Sequence, residues 1–471
     1  GMLPLLSARG FKGKIFSTVA TADLCSIMLR DCAHIQMQEA EWKNRKAKRS
    51  SNVEPHEPLF NMENADDAIK RIVPCPYDEI IEICDGVKIR FTDIGHLLGS
   101  SSIEVWLTEE NVSKKIVFSG DIGNKNQPLL RDPAFTKDAD YVVMESTYGD
   151  RLHSAERPDY IKELTEILQE TFDRGGNVVI PSFAVGRTQE MLYFIRKIKL
   201  DNMIKGHDNF PVYVDSPMAV RATSVFQDNI SECFDAEAMA LVKQGVNPIS
   251  FPGLKLSITS DESKAINFDD TPKVILSASG MCEAGRIRHH LKHNLWRKES
   301  IVLFVGYQAE NSLGRKLQEG AQNVKLFGED IAVHAEIATL HGTSGHADRE
   351  GLLNWLTAFR KKPELVFVNH GDDDSCEAFR KTLETMGYRA EAPYSGTEYD
   401  LLTGRLTAYT EGVKIDRAAA FKGSARARQV YGELLAAAEA LLELVRQRKG
   451  CTNKDNAKLT AQIRSLIEKW K

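Results

Sequence analysis

The chain has 471 residues, 42% of them hydrophobic and 27% charged, which is typical of a globular protein with a full hydrophobic core. Its 61 lysine and arginine residues against 66 aspartate and glutamate residues give a net charge of −5, which excludes a generally basic, histone-like surface. No apolar run reaches the length of a membrane span and no secretory leader is visible, so we expect a cytoplasmic protein with no membrane contact.

The first elements are helical and are followed by short strands. Residues 20–46 predict a long helix, and the polar segment from about Ser50 to Glu63 predicts an exposed loop. From Val87 onward, short β-branched runs each close with Gly, Asp or Ser, which is typical of sheet strands with loops at their ends. These runs are VKIRFTDIG, SSIEVWL, KKIVFSGDIG and YVVMESTYGD.

Strand and helix patterns alternate between about Glu156 and Thr343, which predicts a parallel, doubly wound sheet. A further helix, EGLLNWLTAFRK, then leads into the strand LVFVNHGD. After about Gly412, apolar residues at helical spacing predict a helical hairpin, which either packs on its own domain or forms a dimer contact. They are Tyr431, Leu434, Ala438, Leu441 and Val445, then Leu459, Ile463, Leu466 and Trp470.

Three of the apolar strands stop at a residue that can bind a metal: His96, Asp121 and His370. Imidazole and carboxylate are ligands that zinc accepts, and strand ends hold such groups rigidly at one edge of a sheet. A single histidine at a strand end is often structural, and an aspartate before Ile-Gly is often a turn residue. The spacing alone therefore leaves a metal site and structural roles both open. The eight cysteines include no Cys-x-x-Cys pair, so neither a zinc ribbon nor a disulfide scaffold is expected.

Several strings, in this order, resemble the motifs of the β-CASP branch of the metallo-β-lactamase superfamily, whose members are RNA-processing zinc nucleases. IGHLLGSSSIEV resembles the third metal motif, with His96, and FSGDIG the fourth, with Asp121. MESTYGDRLH resembles β-CASP motif A with Glu145, GTSGHAD motif B with His346, and VNHGD motif C with His370. PSFAVGRTQE, VDSPMAV, SASGMCEAGRIRHHL and VGYQAENSLGR resemble runs in the inserted domain of prokaryotic members.

The resemblance implies an α/β fold, namely a metallo-β-lactamase αββα sandwich with an inserted Rossmann-like β-CASP domain and a C-terminal helical extension. The expected domains are 1–155 and 344–412 for the two parts of the sandwich, 156–343 for the β-CASP domain, and 413–471 for the extension. The family string His-x-His-x-Asp-His is absent, and GMLPLLSARGFKGKIF resembles the text that directly follows it. We therefore expect an N-terminally incomplete sandwich in which zinc is absent or partial and activity is weak.

In the intact family site, the resemblance implies two zinc ions, with His96 helping to hold one, His370 the other, and Asp121 bridging them. It places His346 near the scissile phosphate as a general acid or phosphate contact oriented by Glu145. A purely structural Glu145 that caps the adjacent loop is the alternative. The small residues from Thr343 to Gly345, including Ser344, would let backbone amides approach a phosphate oxygen.

The stretch GRIRHHLKHNLWRK is strongly basic within an acidic chain. Together with the resemblance, it predicts that Arg286 and Arg288 contact the RNA backbone at the cleft between the lobes, and Arg187 is a second candidate phosphate contact. The alternative is a solvated helix face.

The predicted function is zinc-dependent, endonucleolytic hydrolysis of single-stranded RNA in RNA processing or decay, with a possible homodimer. A histidine rather than a valine in motif C favours RNA over DNA by the same resemblance. Two alternatives stay open: a non-catalytic RNA-binding paralogue and a small-molecule metallo-hydrolase of the superfamily.

Overall fold

The computed structural model describes residues 1–47, 56–154, 158–340, 342, 344–413, 437–438, 440–442, 444–446 and 453–469. The helices are α1 (Leu3–Ala8), α2 (Val19–Ala47), α3 (Met62–Lys70), α4 (Tyr160–Asp173), α5 (Arg187–Leu200), α6 (Pro217–Asp228), α7 (Ile230–Cys233), α8 (Ala236–Lys243), α9 (Ser260–Phe268), α10 (Ile287–Asn294), α11 (Leu313–Gln318), α12 (Arg349–Thr357), α13 (Asp373–Thr385) and α14 (Asn453–Lys469). Within these ranges, no helix combines the length and apolarity needed to cross a membrane.

The strands of the described chain form two large sheets and three pairs. They are β1 (Ile15–Thr18), β2 (Ile72–Cys75), β3 (Ile81–Cys84), β4 (Val87–Asp93), β5 (Ser101–Glu109), β6 (Val112–Phe118), β7 (Tyr141–Met144), β8 (Val178–Pro181), β9 (Val212–Asp215), β10 (Leu254–Ser257), β11 (Val274–Ser277), β12 (Ile301–Phe304), β13 (Asn323–Leu326), β14 (Glu329–Ala332), β15 (Glu336–Thr339), β16 (Leu365–Val368), β17 (Ala390–Glu391), β18 (Glu398–Asp400) and β19 (Arg405–Ala408).

The first large sheet has seven strands in the order β17-β16-β7-β6-β5-β4-β3. Strands β3 to β6 pair antiparallel, whereas β6, β7, β16 and β17 pair parallel. The central strands β7 and β16 are short, almost wholly apolar runs, as expected of strands covered on both faces. Helices α12 and α13 cover one face with Trp355, Phe379 and Leu383. We call this sheet and its helices the first lobe.

The second large sheet has six strands in the order β10-β9-β11-β8-β12-β15, and all of its pairs are parallel. This confirms the predicted parallel, doubly wound sheet. Successive residues of β8 serve opposite faces, because side chains alternate along a strand. Val178 and Ile180 pack in one buried cluster with residues of α4, α5 and α6, whereas Val179 packs with residues of α10 and α11. We call this sheet and its helices the second lobe.

Helix α2 packs on the second lobe and also contacts the loop between β4 and β5, where Thr21 donates a hydrogen bond of 2.9 Å to the backbone oxygen of Gly99. Its first turns, at Ala20 and Leu24, join the apolar core of the second lobe. Asp23 accepts a hydrogen bond of 2.9 Å from the side chain of Asn229, at the end of α6. The chain up to Ala408, apart from Tyr394–Gly396, forms one compact unit, whereas Tyr394–Gly396 and the residues from Tyr409 onward belong to a second unit.

The structure shortens the loop predicted near residue 60 and describes part of the predicted C-terminal hairpin. The expected loop from Ser50 to Glu63 ends too late, because α3 begins at Met62, where the side chains of Asn61 and Asn64 exchange capping hydrogen bonds with each other's backbone. In the predicted C-terminal hairpin, Tyr431, Leu434 and Trp470 lie outside the described residues. Leu459, Ile463 and Leu466 lie in α14, where the first two are half-buried.

Candidate active site

The strand order of the first lobe brings its predicted ligands to one edge. Strands β4, β6, β7 and β16 run in the same direction, so their carboxyl ends meet at the same edge of the sheet. His96 lies just beyond β4, Asp121 beyond β6, Glu145 directly after β7, and His370 just beyond β16. The structure therefore brings together residues that are far apart in the sequence.

The Asp121 carboxylate lies between two imidazole rings. Its Oδ1 is 3.1 Å from Nε2 of His370, and its Oδ2 is 3.8 Å from Nε2 of His96. Ligand atoms of His96, Asp121 and His346 also lie within 4.8 Å of one another, which adds His346 to the possible metal ligands. Imidazole and carboxylate together suit a divalent ion such as zinc, so these side chains fit the metal that the sequence predicts.

His96 is held in the form that binds metals. Burial, together with the positive charge of the nearby His346, lowers the pKa of His96, although Asp121 acts in the opposite direction. The ring is therefore neutral at neutral pH and offers a lone pair. Gly345 leaves room for this ring, because a Cβ at position 345 would lie only 3.2 Å from Cε1 of His96.

The buried Glu145 and the half-buried His346 form an acid–imidazole pair. Nδ1 of His346 lies 3.2 Å and 3.3 Å from the two carboxylate oxygens of Glu145. Burial alone would raise the pKa of Glu145 and lower that of His346, but the hydrogen bond between them outweighs burial, so the pKa of Glu145 falls and that of His346 rises. Glu145 also accepts a hydrogen bond from the backbone N–H of Ile122, so it holds the loop that carries Asp121 as well.

The loop that carries His346 is tied down by its neighbours. Gly345 accepts hydrogen bonds from the backbone of Asn124, at 2.9 Å, and from the side chain of Gln127, at 2.8 Å. The hydroxyl of Ser344 accepts a hydrogen bond of 3.3 Å from the backbone N–H of His346, so it supports the loop. Thr343 lies outside the described residues.

Sequence reasoning missed two residues beside His346. Nε2 of His153 lies 3.0 Å from the backbone oxygen of His346, and the backbone N–H of His153 donates to Asp348, the N-cap of α12. The ring of Tyr148 meets those of His153 and His346 edge-on, with centroids 5.3 Å and 6.1 Å apart. Both residues lie in MESTYGDRLH, so a search of that string for further polar rings would have found them.

A large cavity of about 1470 Å³ extends from His96 and His346 to the second lobe. The second lobe contributes the carboxyl ends of its parallel strands, the edge where open α/β sheets bind ligands. The residues there include Phe183, Ser216, Ser279 and Tyr307. Three arginines also line the cavity, and each binds an acidic side chain: Arg187 to Glu190, Arg286 to Asp215 at 2.7 Å, and Arg315 to Glu319 at 2.7 Å.

The structure separates the two arginines that the basic stretch pairs. Arg286 lines the cavity, whereas Arg288 is not among the described residues that line it. The guanidinium of Arg288 lies 4.9 Å from the centroid of Phe327. Residues that are two positions apart in a helix, such as Arg286 and Arg288, are separated by roughly 200° around the helix axis. The two arginines therefore face different sides. The expected contact of Arg288 with RNA in the cavity is therefore not supported by its position.

Comparisons with known proteins agree with this geometry. Residues 188–317 match the Beta-Casp domain family, and residues 330–393 match a family described as the Zn-dependent metallo-hydrolase RNA specificity domain. The chain is 35% identical over 389 residues to Ribonuclease TTHA0252 of Thermus thermophilus, covering 82% of each protein. It is 28% and 30% identical to Transcription termination factor FttA of Methanocaldococcus jannaschii and of Thermococcus kodakarensis, over 396 and 407 residues.

The match covers 82% and 83% of this chain but 58% and 59% of these two FttA proteins, so the chain spans less than two thirds of their length. Fold, site and comparisons together define a metal-dependent hydrolase that acts on RNA. The chain belongs to the β-CASP family of RNA nucleases within the metallo-β-lactamase superfamily. The predicted family and fold class are thereby confirmed.

Proposed function

We propose that this chain is an endoribonuclease that hydrolyses single-stranded RNA at the edge formed by His96, Asp121 and His370. The observation that carries the proposal is the position of the Asp121 carboxylate. Its two oxygens face two different imidazoles, and it lies next to the Glu145–His346 pair. A single-stranded substrate is supported by two aromatic rings at the cavity, Phe183 and Tyr307, which are 47% and 66% exposed and can stack on unpaired bases.

The proposed cofactor is a pair of zinc ions in the intact family site, where His96 and His370 would lie on different ions and Asp121 would bridge them, and which we expect to be absent or partial in this chain. The separate contacts of the two Asp121 oxygens support a bridging role. When bound, such a pair supplies a hydroxide nucleophile and neutralises the phosphate.

The role proposed for His346 is general acid catalysis. Because Glu145 occupies Nδ1, it orients the ring and leaves Nε2 to serve the substrate. The raised pKa of His346 favours a protonated ring at neutral pH, which can give its proton to the leaving oxygen of the RNA strand. Ser344 would hold this loop for a phosphate oxygen, and Arg187 and Arg286 would hold RNA phosphates across the cavity.

The remaining sequence expectations stay proposals. The domain division at 1–155, 156–343, 344–412 and 413–471 is supported by the sheets, since all six strands of the second lobe fall between residues 178 and 339. A homodimer would be formed by the C-terminal helical residues, which include α14. A cytoplasmic location rests on the composition alone.

A cleavage assay with a matched variant tests the function. Labelled single-stranded RNA is incubated with the chelator-treated chain, with and without added zinc, and the products are sized. Cleavage should require zinc and should be lost in Asp121→Asn, whereas Asp85→Asn, the same change in an exposed turn, should leave it intact. RNA that is bound but left uncut by the zinc-loaded chain would establish the non-catalytic alternative. Cleavage confined to small phosphate esters would establish the small-molecule hydrolase.

A further inference from the structure

Helix α10 and the turn after it carry three aromatic side chains that are not among the described residues lining the cavity. His289 and His293 are four residues apart, a spacing that aligns their side chains along one face of the helix, and Trp296 lies in the turn just beyond the end of α10 at Asn294. His289 is exposed, His293 is half-buried and Trp296 is 56% exposed.

Neighbouring elements add two further rings to these three. Phe327, between β13 and β14, stacks on His289 with centroids 4.3 Å apart, and Phe268, at the end of α9, meets His293 at 5.9 Å. Phe268 is 76% exposed and Phe327 is 46% exposed. We call these five residues, Phe268, His289, His293, Trp296 and Phe327, the aromatic stripe. None of them is among the described residues that line the cavity.

The aromatic stripe is basic on its α10 side, whereas acidic residues follow its two phenylalanines, namely Asp269 and Asp270 after Phe268, and Glu329 and Asp330 after Phe327. No aspartate or glutamate occurs between Arg286 and Lys298, although the chain as a whole has a net charge of −5. Arg288 lies over Phe327, and Lys292 forms an ion pair of 2.7 Å with Glu329 of β14. Large exposed rings side by side are uncommon on a protein surface without a binding role.

Helix α10 begins at the wall of the cavity. Gly285 and Arg286, directly before α10, line the cavity wall, and α10 extends away from them for eight residues, about 12 Å. A strand that leaves the cavity beside Arg286 would therefore meet the rings in sequence.

We propose that the aromatic stripe is a second binding site for single-stranded RNA, on which bases outside the cavity stack without sequence preference. Aromatic rings interleaved with basic side chains are the usual means of binding a single strand, because every base has a stacking face. Lysine is depleted in protein interfaces, whereas Lys292 lies on α10 itself. The proposal rests on the proposed function in taking RNA as the ligand.

The test measures RNA binding separately from cleavage. A fluorescent 20-nucleotide oligouridylate is titrated with the full chain in EDTA, so that no metal-dependent cleavage occurs, and anisotropy gives the affinity. Phe268→Ala and Trp296→Ala should each weaken binding about tenfold, the order of magnitude for the loss of one stacked base. Trp296→Phe should restore most of the affinity. Trp42→Ala is the matched control. Trp42 lies on α2, outside the aromatic stripe. Like Trp296 it is about half exposed, at 57%, and it lies close to a lysine, Lys46.

A second probe separates bases from phosphates. An oligonucleotide of the same length whose outer ten nucleotides are abasic keeps its phosphates, and it should bind the parent chain and the Phe268→Ala/Trp296→Ala variant equally. Full affinity of the abasic probe for the parent chain would overturn the proposal. So would unchanged RNA affinity of a folded variant, or a dimer that becomes monomeric in the variant while RNA affinity is unchanged, since the surface would then bind protein.

The proposed function is tested by different results. If the parent chain never cleaves RNA but the variants bind RNA more weakly, the aromatic stripe is supported and the nuclease proposal is refuted. If the parent chain cleaves RNA but all variants bind RNA equally well, the nuclease proposal is supported and the aromatic stripe is refuted as an RNA-binding site. Cleavage of a small phosphodiester should be the same in the parent chain and the variants, because the small ester does not reach α10.

Discussion

Replacing Asp215 by asparagine should destabilise the second lobe at neutral pH, and the loss should shrink in acid. Asp215 ends β9 and is fully buried. Its carboxylate accepts a hydrogen bond of 2.7 Å from Arg286 and one of 2.6 Å from Ser263, and it lies 2.6 Å from Nε2 of His290. This one side chain therefore joins β9 to α9 and to the α10 region that borders the cavity.

The pKa of Asp215 sets the size of the effect. Burial alone would raise this pKa, but His290, Ser263 and Arg286 together lower it from 3.8 to about 2. At about 1.4 kcal/mol per pKa unit, the charged form contributes about 2 kcal/mol to folding. Arg286 is only 20% exposed, so removing its partner leaves a largely buried charge unpaired, which keeps the cost at this size or above it.

The lowered pKa of Asp215 determines how the stability lost in Asp215→Asn changes with pH. The contribution of the Asp215 carboxylate to the free energy of unfolding is complete when the pH is above 3.8, the pKa of an aspartate in the unfolded chain. It is lost as the pH falls through about 2, the pKa in the folded protein. Urea titrations at pH 7 and pH 3 should therefore show a difference between parent and Asp215→Asn that is smaller by about 1 kcal/mol at pH 3. Asp66→Asn, in the exposed pair with Arg30, should cost far less at both pH values. A difference that does not change between the two pH values would refute this reasoning.

Three further variants test the site. His346→Ala should lose cleavage by about 10²- to 10⁴-fold while keeping its metal, whereas His370→Ala should lose both cleavage and metal. Single-turnover cleavage and metal analysis measure these two effects. An empty metal site in His346→Ala would reverse the roles of the two histidines. Glu145→Gln should lower kcat by about 10- to 100-fold with little change in KM, and an unchanged kcat would reduce Glu145 to a loop support. Arg187→Ala should flatten the log–log salt dependence of RNA binding by about 0.7, whereas Arg405→Ala, in exposed β19, should not alter it.

The sequence predicts the ligands at the strand ends because their signal is local. Each of His96, Asp121 and His370 follows a short β-branched run, and such runs form strands in the structure. The contact between Asp121 and His370 is not local, since it depends on the order in which β6, β7 and β16 pair. The family resemblance supplied that juxtaposition where periodicity could not, and the structure shows it at 3.1 Å.

The basic stretch shows where composition misleads. Charge alone treats Arg286 and Arg288 as equivalent, yet helical geometry places them on different sides, and their partners come from distant segments. Asp215 at the end of β9 engages Arg286, whereas Phe327 in a separate hairpin lies under Arg288. Helical periodicity would have separated the two arginines, but no local pattern identifies Asp215 or Phe327 as their partners.

The acidic partners of the cavity arginines bear on how RNA would be held. A guanidinium has five N–H donors, so Arg286 and Arg315 can each bind a carboxylate and still donate to a phosphate. Because those carboxylates already fix the side chains, little rotamer entropy is lost when a phosphate arrives. The same carboxylates reduce the net positive charge of the cavity wall, which favours a substrate that places several phosphates correctly over a single free anion. In the proposed function, the second lobe would therefore recognise an extended RNA backbone, while the residues at the edge of the first lobe would act on one bond within it.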